Sequence, residues 1–294
     1  MILVAGASGL LGSAIADRLL YAGWPVRVLT REPSRVAPLV ARGAIVTIGD
    51  LTDRASLDRA MAGATHVVTT ANAFMTPGRD AVQRVDVEGN RHLIDAARTA
   101  RVRQFVFTSA WLTDAYLRID YFAAKRNTEA YLRASGVPYT ILRPAAFMEI
   151  WAMIVGEPVL KTGATRIFGR GTNRINFVAI DDVADIAVRT LDRPDAINTE
   201  VDVFGPENLS LLEVVAVFER IKGAPARKRH LPAPMLRMMS SLVNRFNPVF
   251  GRQVAAGALM ATAALAVDPA SSRSRWNVPM TRMEDWAKEK YAAR

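Results

Sequence analysis

Apolar residues fall along this chain in short, nearly unbroken runs, separated by stretches in which they recur every three or four positions. The runs at 2–5, 26–29, 44–48, 66–70, 104–108, 139–142 and 201–204 predict strands. The periodic stretches at 10–21, 56–61, 81–100, 121–134 and 183–191 predict helices between them. Strand runs with little polar alternation imply burial on both faces, as in a parallel sheet covered by helices. Repeated strand–helix units joined right-handedly predict an α/β fold with a doubly wound, Rossmann-type parallel sheet. Past residue 144 the pattern loosens. Pro158, Gly163, Gly169 and Gly171 mark loops, 175–178 reads as a short strand, and 232–267 as an apolar, methionine-bearing helical region. Stripes of this kind usually pack, here on the main domain or against a second subunit. The competing readings are a flexible lid over a substrate pocket, because methionine adapts to irregular shapes, and, more weakly, a membrane-surface helix, since the stripe lacks a heavily basic opposite face.

The first run leads straight into Gly6-Ala7-Ser8-Gly9-Leu10-Leu11-Gly12, and Ile15, Leu19 and Leu20 then begin a helical stripe. This order suits a dinucleotide. Gly6 allows a tight turn, and Gly9 lets the backbone of Ser8, Leu10 and Leu11 approach a pyrophosphate. Gly12 lets the helix pack close to the strand, and the helix N-terminus supplies positive potential. A lone glycine triplet is a weak signal; the strand before it and the helix after it give it context. The expected division is a dinucleotide-binding domain of 1–144 plus 177–204, with a smaller substrate or lid lobe of 145–176 plus 205–294.

Composition narrows the chemistry. Of 294 residues, half are hydrophobic and 22% are charged, an ordinary globular balance. With no cysteine, thiolate metal sites and disulfides are excluded, and His66, His92 and His230 make no metal-ligand spacing. The first strand begins at Met1, leaving no room for a leader. The uncharged stretch 253–267 is too short to span a bilayer, which takes about 20 apolar residues. A cytoplasmic monomer or homodimer without a membrane span is the expectation. The formal charge is +10, with one dense cluster, Arg227-Lys228-Arg229. Anionic cofactors and substrates suit that charge as well as nucleic acid does, and no specific nucleic-acid partner is expected.

Several segments resemble the short-chain dehydrogenase/reductase superfamily in its atypical, NmrA-like branch. They are 4–12, Gly49-Asp50-Leu51, 85–90 running into Phe105-Val106-Phe107-Thr108-Ser109, Lys125 with Glu129, 139–144, and 176–184. The match spans most of 1–222. The branch contains reductases, isomerases, assembly factors and non-catalytic redox sensors, so the resemblance speaks to fold more than to substrate. It implies that Asp50 accepts from the adenine amino group beside the Leu51 backbone, although Asp50 also reads as a turn carboxylate. It also implies that Pro144 and Phe147 follow the sixth strand beside the nicotinamide, with Met148-Glu149 where an asparagine is common.

The second strand ends Leu29-Thr30-Arg31, with Arg35 one turn further on and no carboxylate at the position that meets the ribose. A guanidinium there accommodates a 2′-phosphate, so NADPH is expected over NADH. The alternative is that Arg31 is a solvated surface residue. Thr70, Ala71 and Asn72 follow the fourth strand at the carboxyl edge, where the crevice forms.

Tyr121 stands four residues before Lys125, which puts phenol and ammonium on one helix face, and Ser109 ends the fifth strand. A nearby ammonium favours the phenolate, so Lys125 is expected to lower the Tyr121 pKa. Ser109 would orient a substrate oxygen and Tyr121 would donate the proton, as in the superfamily's Ser–Tyr–Lys set. Aromatic–lysine pairs at this spacing are also ordinary helix surface, in which case Lys125 binds ribose or is itself the acid. Glu129 reads as an i,i+4 partner of Lys125. The expected activity is an NADPH-dependent oxidoreductase acting on a small, apolar or aromatic carbonyl, enone or quinone. The alternatives are a non-catalytic NADP(H) sensor or assembly factor and an epimerase or dehydratase.

Overall fold

The apolar runs form their strands: β1 (Ile2–Ala5), β2 (Val26–Thr30), β3 (Ile45–Ile48), β4 (His66–Thr69), β5 (Gln104–Thr108) and β6 (Tyr139–Pro144). The computed structural model describes residues 1–111, 113–271, 276 and 278–292. β1 pairs parallel with β2 and β4, β2 with β3, β4 with β5, and β5 with β6. Thr199–Val203 beside β6 completes a sheet of seven strands. The order runs from β3 through β2 to β1, then to β4, β5 and β6, so the winding direction reverses between β1 and β4. At such a reversal the turns leaving the two strands part and open a crevice at the carboxyl edge of the sheet.

The chain divides into two compact units. The first comprises Met1–Ala110, Asp120–Arg143 and Val183–Asp202, the second Trp111–Ile119, Pro144–Asp182 and Val203–Arg294. The first unit carries α1 (Leu10–Tyr21), α2 (Ala37–Ala41), α3 (Arg54–Met61), α4 (Asn90–Thr99) and α5 (Asp120–Ala134). Leu57, Leu93, Ile94 and Leu132 from the helices pack with Leu3, Phe105, Phe107 and Ile141 from the strands. Each such burial stabilises by about 1.5–3 kcal/mol before entropy is counted. The single helix predicted over 81–100 is corrected: a π-helical turn, Gln83–Gly89, precedes α4. Side-chain donors explain the widening. The Asp86 carbonyl accepts from Asn90 Nδ2 at 3.1 Å and from Thr128 Oγ1 at 2.9 Å.

In the second unit, Ile175–Val178 forms as predicted and pairs with Ala146–Phe147 and Asn208–Leu209. The stretch around Pro158, read as loop, contains a helix, Glu157–Thr162, with Pro158 in its first turn and Gly163 closing it at φ +68°. The basic cluster lies in a strand, Arg227–Leu231, paired parallel with Ala164–Phe168. The apolar 232–267 region makes two helices, Ala233–Asn244 and Pro248–Met260. Leu236, Val254 and Ala258 from that pair pack with Met239, Phe168 and Leu231.

Candidate functional site

The chain leaves β1 through Gly6, whose φ of +90° strains any side chain and whose Cβ would stand 2.7 Å from the Ala71 amide nitrogen. Gly12 is required for a different reason: a Cβ there would stand 2.2 Å from the Gly6 carbonyl oxygen, so α1 sits on the turn as closely as backbone allows. Gly9 differs from both, since its Cβ would meet only the Gly6 oxygen, at 3.4 Å. The protein's own packing thus leaves room for a Cβ at Gly9, in ordinary contact with the Gly6 oxygen. Gly9 is also the N-cap of α1 and brings no side-chain acceptor. The first-turn amides of Leu10, Leu11 and Gly12 have no acceptor inside the helix. Open space and unpaired donors at one helix start fit a pyrophosphate.

A cavity of about 500 Å³ adjoins this turn and is lined entirely by the first unit. Gly6, Ser8 and Gly9 form one wall, Leu29–Glu32 and Arg35 a second, Gly49-Asp50-Leu51 a third, and Thr70-Ala71-Asn72 a fourth. Asp50 and Arg31 face one another across 3.4 Å. Burial pushes the Asp50 carboxyl up, but hydrogen bonds from the Thr52 amide and hydroxyl, each 2.9 Å, together with Arg31 bring it below its ordinary value. It is therefore an anion that also serves as a turn carboxylate. Arg31 and Arg35 are more than half exposed at their side chains, and Arg35 stands 4.0 Å from Glu32. Charges so placed are hydrated and hold little of one another's field, which leaves both guanidinia available to an incoming anion.

Ser109, Tyr121 and Lys125 lie in the first unit but are not among the residues lining this cavity. Lys125 is buried. Its Nζ donates to the Thr108 carbonyl at 3.0 Å and stands 3.9 Å from Asp86 Oδ1. It also lies 4.9 Å from the Phe107 ring centre and 5.5 Å from that of Tyr121. Burial pushes its pKa down, against the pull of Asp86 and Glu129. Asp86 Oδ2 accepts from the Ala73 amide at 2.8 Å, so one carboxylate joins Lys125 to the loop that continues from the cavity wall. The expected lowering of the Tyr121 pKa is reversed. Burial, then the negative charge of Asp86, push it well above the ordinary phenol range. The ring packs edge-on to Phe74 and Phe122, each centre 5.0 Å away, with the ammonium over its face.

Ser109 Oγ donates to Glu129 Oε1 at 2.5 Å. The reading of Glu129 as the partner of Lys125 is corrected, because its oxygens serve Ser109, Arg126, Arg133 and Arg143. Burial raises the Glu129 carboxyl, and the hydrogen bonds from Arg143 and Ser109 bring it below its ordinary value. Pro144 and Phe147 belong to the second unit, where Phe147 directly precedes a helical turn, Met148–Trp151. Met148 there is fully buried, and the Glu149 carboxylate accepts from the Ile180 amide at 3.0 and 3.2 Å.

The sequence profile of the NmrA-like family matches residues 1–266. The chain belongs to the NmrA-like family. A reductase of (4-alkanoyl-5-oxo-2,5-dihydrofuran-3-yl)methyl phosphate from Streptomyces griseus is 33% identical over 254 residues, covering 84% of this chain and 82% of its own. The photosystem II assembly factor Ycf39 of Trieres chinensis is 27% identical over 245 residues, covering 83% and 76%. Among solved structures, an Escherichia coli NADPH-dependent quinone oxidoreductase in complex with NADPH superposes with a TM-score of 0.80. It covers 99% of this chain and all of its own, at 20% identity, a likeness of fold. The NmrA-like chain thus shares its fold with that oxidoreductase and is related in sequence both to a reductase and to an assembly factor.

Asp86 and Thr108 are the residues of this NmrA-like site that the sequence reading left unassigned. The Thr108 hydroxyl, at the carboxyl end of β5, is buried without a hydrogen-bond partner, beside the carbonyl that holds Lys125. Asp86 stands in the 85–90 segment that carries the family resemblance, among other charged residues that do not single it out. Nothing in the sequence marks the Thr108 hydroxyl.

Proposed function

We propose that this NmrA-like protein is an NADPH-dependent oxidoreductase that reduces a small, apolar or aromatic carbonyl, enone or quinone. The observation that carries the reading is the space beside Gly9 at the uncapped start of α1, continuous with a cavity whose rim bears Arg31 and Arg35. The first-turn amides would hold the pyrophosphate, Arg31 and Arg35 the 2′-phosphate, and Asp50 the adenine side. When bound, the nicotinamide supplies hydride. The chain's own contribution is the buried Lys125 side chain beside Asp86, which would hold ribose hydroxyls and donate to a reduced oxygen. The reductase relative supports this activity.

The deciding experiment measures NADPH and NADH affinity, and NADPH consumption against quinones, enones, aldehydes and ketones, with Arg31→Ala alongside. The expected result is turnover of at least one acceptor and a loss of about tenfold or more in NADPH affinity, with NADH affinity little changed. Equal losses for both dinucleotides would overturn the 2′-phosphate role. Binding without turnover of any acceptor would favour the second reading, a non-catalytic NADP(H)-binding sensor or assembly factor. Three observations support that alternative: the Ser109 hydroxyl is engaged with Glu129, the Tyr121 phenol is pushed up, and one relative is an assembly factor.

A further inference from the structure

The second unit holds a cavity of its own, of about 630 Å³, open to solvent and lined by that unit alone. It lies past the ends of the paired strands Ala164–Phe168 and Arg227–Leu231, between the loop that follows the first and the chain that follows the second. Local bonds fix these walls. Gly169 donates its amide to the Leu231 carbonyl at 2.8 Å, and its own carbonyl accepts from His230 Nδ1 at 2.9 Å. Asn173 Nδ2 donates to the Met260 and Ala263 carbonyls at 2.7 and 2.8 Å, which ties the loop to the end of Pro248–Met260. Gly169 turns at φ +64° and comes so near that helix end that its Cβ would stand 2.8 Å from the Ala261 Cβ.

No carboxylate lines this cavity. Arg170 makes no ion pair or hydrogen bond among the described residues, and the Thr172 hydroxyl is likewise unspent. His230 gives its Nδ1 proton to Gly169 and keeps Nε2 to share a proton with an acidic ligand. Pro232, Pro234 and Ala261 supply apolar wall. The strands that lead in add positive field. Arg229 and Arg166 are register partners, both exposed and without an acidic partner among the described residues, whereas Lys228 is compensated by Glu219. Like charges set opposite one another cost stability, and they draw anions.

We propose that this cavity binds a small organic anion, a carboxylate or phosphate ester on an apolar body. Arg170 would take two of its oxygens as a fork, Thr172 would donate to the same head, and the apolar body would lie against the two prolines and Ala261. A volume of this size suits a small molecule rather than a polymer. The cavity shares no lining residue with the one beside the glycine turn, so the proposal stands apart from the dinucleotide reading.

The test is titration calorimetry of the full chain with phenyl phosphate and with benzoate, each with and without an excess of NADPH, beside phenol and inorganic phosphate. The expected outcome is saturable binding of at least one of the two aromatic anions, unchanged by NADPH. Phenol and inorganic phosphate should bind at least about tenfold more weakly, since each lacks half of the recognised group. Arg170→Gln should weaken the binding about tenfold or more, and Thr262→Trp, which fills the cavity from its wall, should remove it. Thermal melts confirm that the variants fold, and Arg170 is exposed, so its replacement alone suffices if the tryptophan disturbs packing. No saturable binding of either anion overturns the proposal. So does binding that NADPH displaces, which belongs to the first unit's cavity, and so does binding that Arg170→Gln retains in full or that phenol or inorganic phosphate matches.

Discussion

The glycine turn and the Ser109–Tyr121–Lys125 group are both built from strand ends and helix starts of the same unit, yet they present their chemistry in opposite ways. At the turn the donors are unspent: helix amides lack acceptors, Gly9 leaves space, and two arginines reach into solvent. In the group the polar heads of Ser109 and Lys125 are already engaged. Ser109 is bound to Glu129, Lys125 to the Thr108 carbonyl near Asp86, and the Tyr121 ring is packed among aromatics. Exposed unpaired donors are a binding site waiting for its ligand. Buried satisfied groups do chemistry only if the ligand competes for them or exploits the field they create. That contrast makes Lys125, a buried amine beside a carboxylate, the group of most consequence, and gives Tyr121 the least.

The sharpest break in the comparison is between those two residues. Lys125→Met is expected to cut turnover by about a hundredfold or more, while Tyr121→Phe leaves it within about threefold. Steady-state rates of NADPH oxidation decide it, and a collapse in Tyr121→Phe would restore the phenol as acid. Next comes the turn. Gly9→Ala should lower NADPH affinity by about thirtyfold with little change in melting temperature, because its Cβ meets only the Gly6 oxygen, at an ordinary contact distance. Gly12→Ala should instead lower the melting temperature, because its Cβ meets the Gly6 carbonyl. Titration calorimetry with thermal melts separates the two. The smallest effect belongs to Glu129→Gln, about 2 kcal/mol of stability, moderated because Arg126 and Arg133 keep part of their hydration. The folded Glu129 carboxyl lies below its ordinary 4.5, so its contribution is present above that pH and lost as pH falls through the lower folded value. Denaturant unfolding between pH 7 and pH 3 should show a shallower acid loss in the variant than in the wild type.

The sheet was legible because a doubly buried strand writes itself as a contiguous apolar run, and the turn because its glycines follow one another within seven residues. What escaped was written in other terms. Arg227–Leu231 is a strand made of Arg-Lys-Arg-His-Leu, largely exposed, so its apolar pattern is silent. Pro158 reads as a break yet occupies the first turn of a helix, where its missing amide costs nothing. Leu211–Lys222 announces itself through Ser210 and Glu213, a reciprocal cap that apolar periodicity does not register. In the site, the i,i+4 spacing truly puts Tyr121 and Lys125 together. The partner of Ser109, however, is a carboxylate twenty positions away, claimed by arginines from two elements. Spacing along one helix cannot rank such competitors.

The three glycines of the turn are under unequal custody. Folding itself polices Gly6 and Gly12, since any replacement collides with backbone. On the proposed reading, the need to hold a pyrophosphate polices Gly9 instead. In a descendant that abandoned the dinucleotide, Gly9 would be the first of the three free to drift, leaving an intact turn with a side chain where the pyrophosphate once lay.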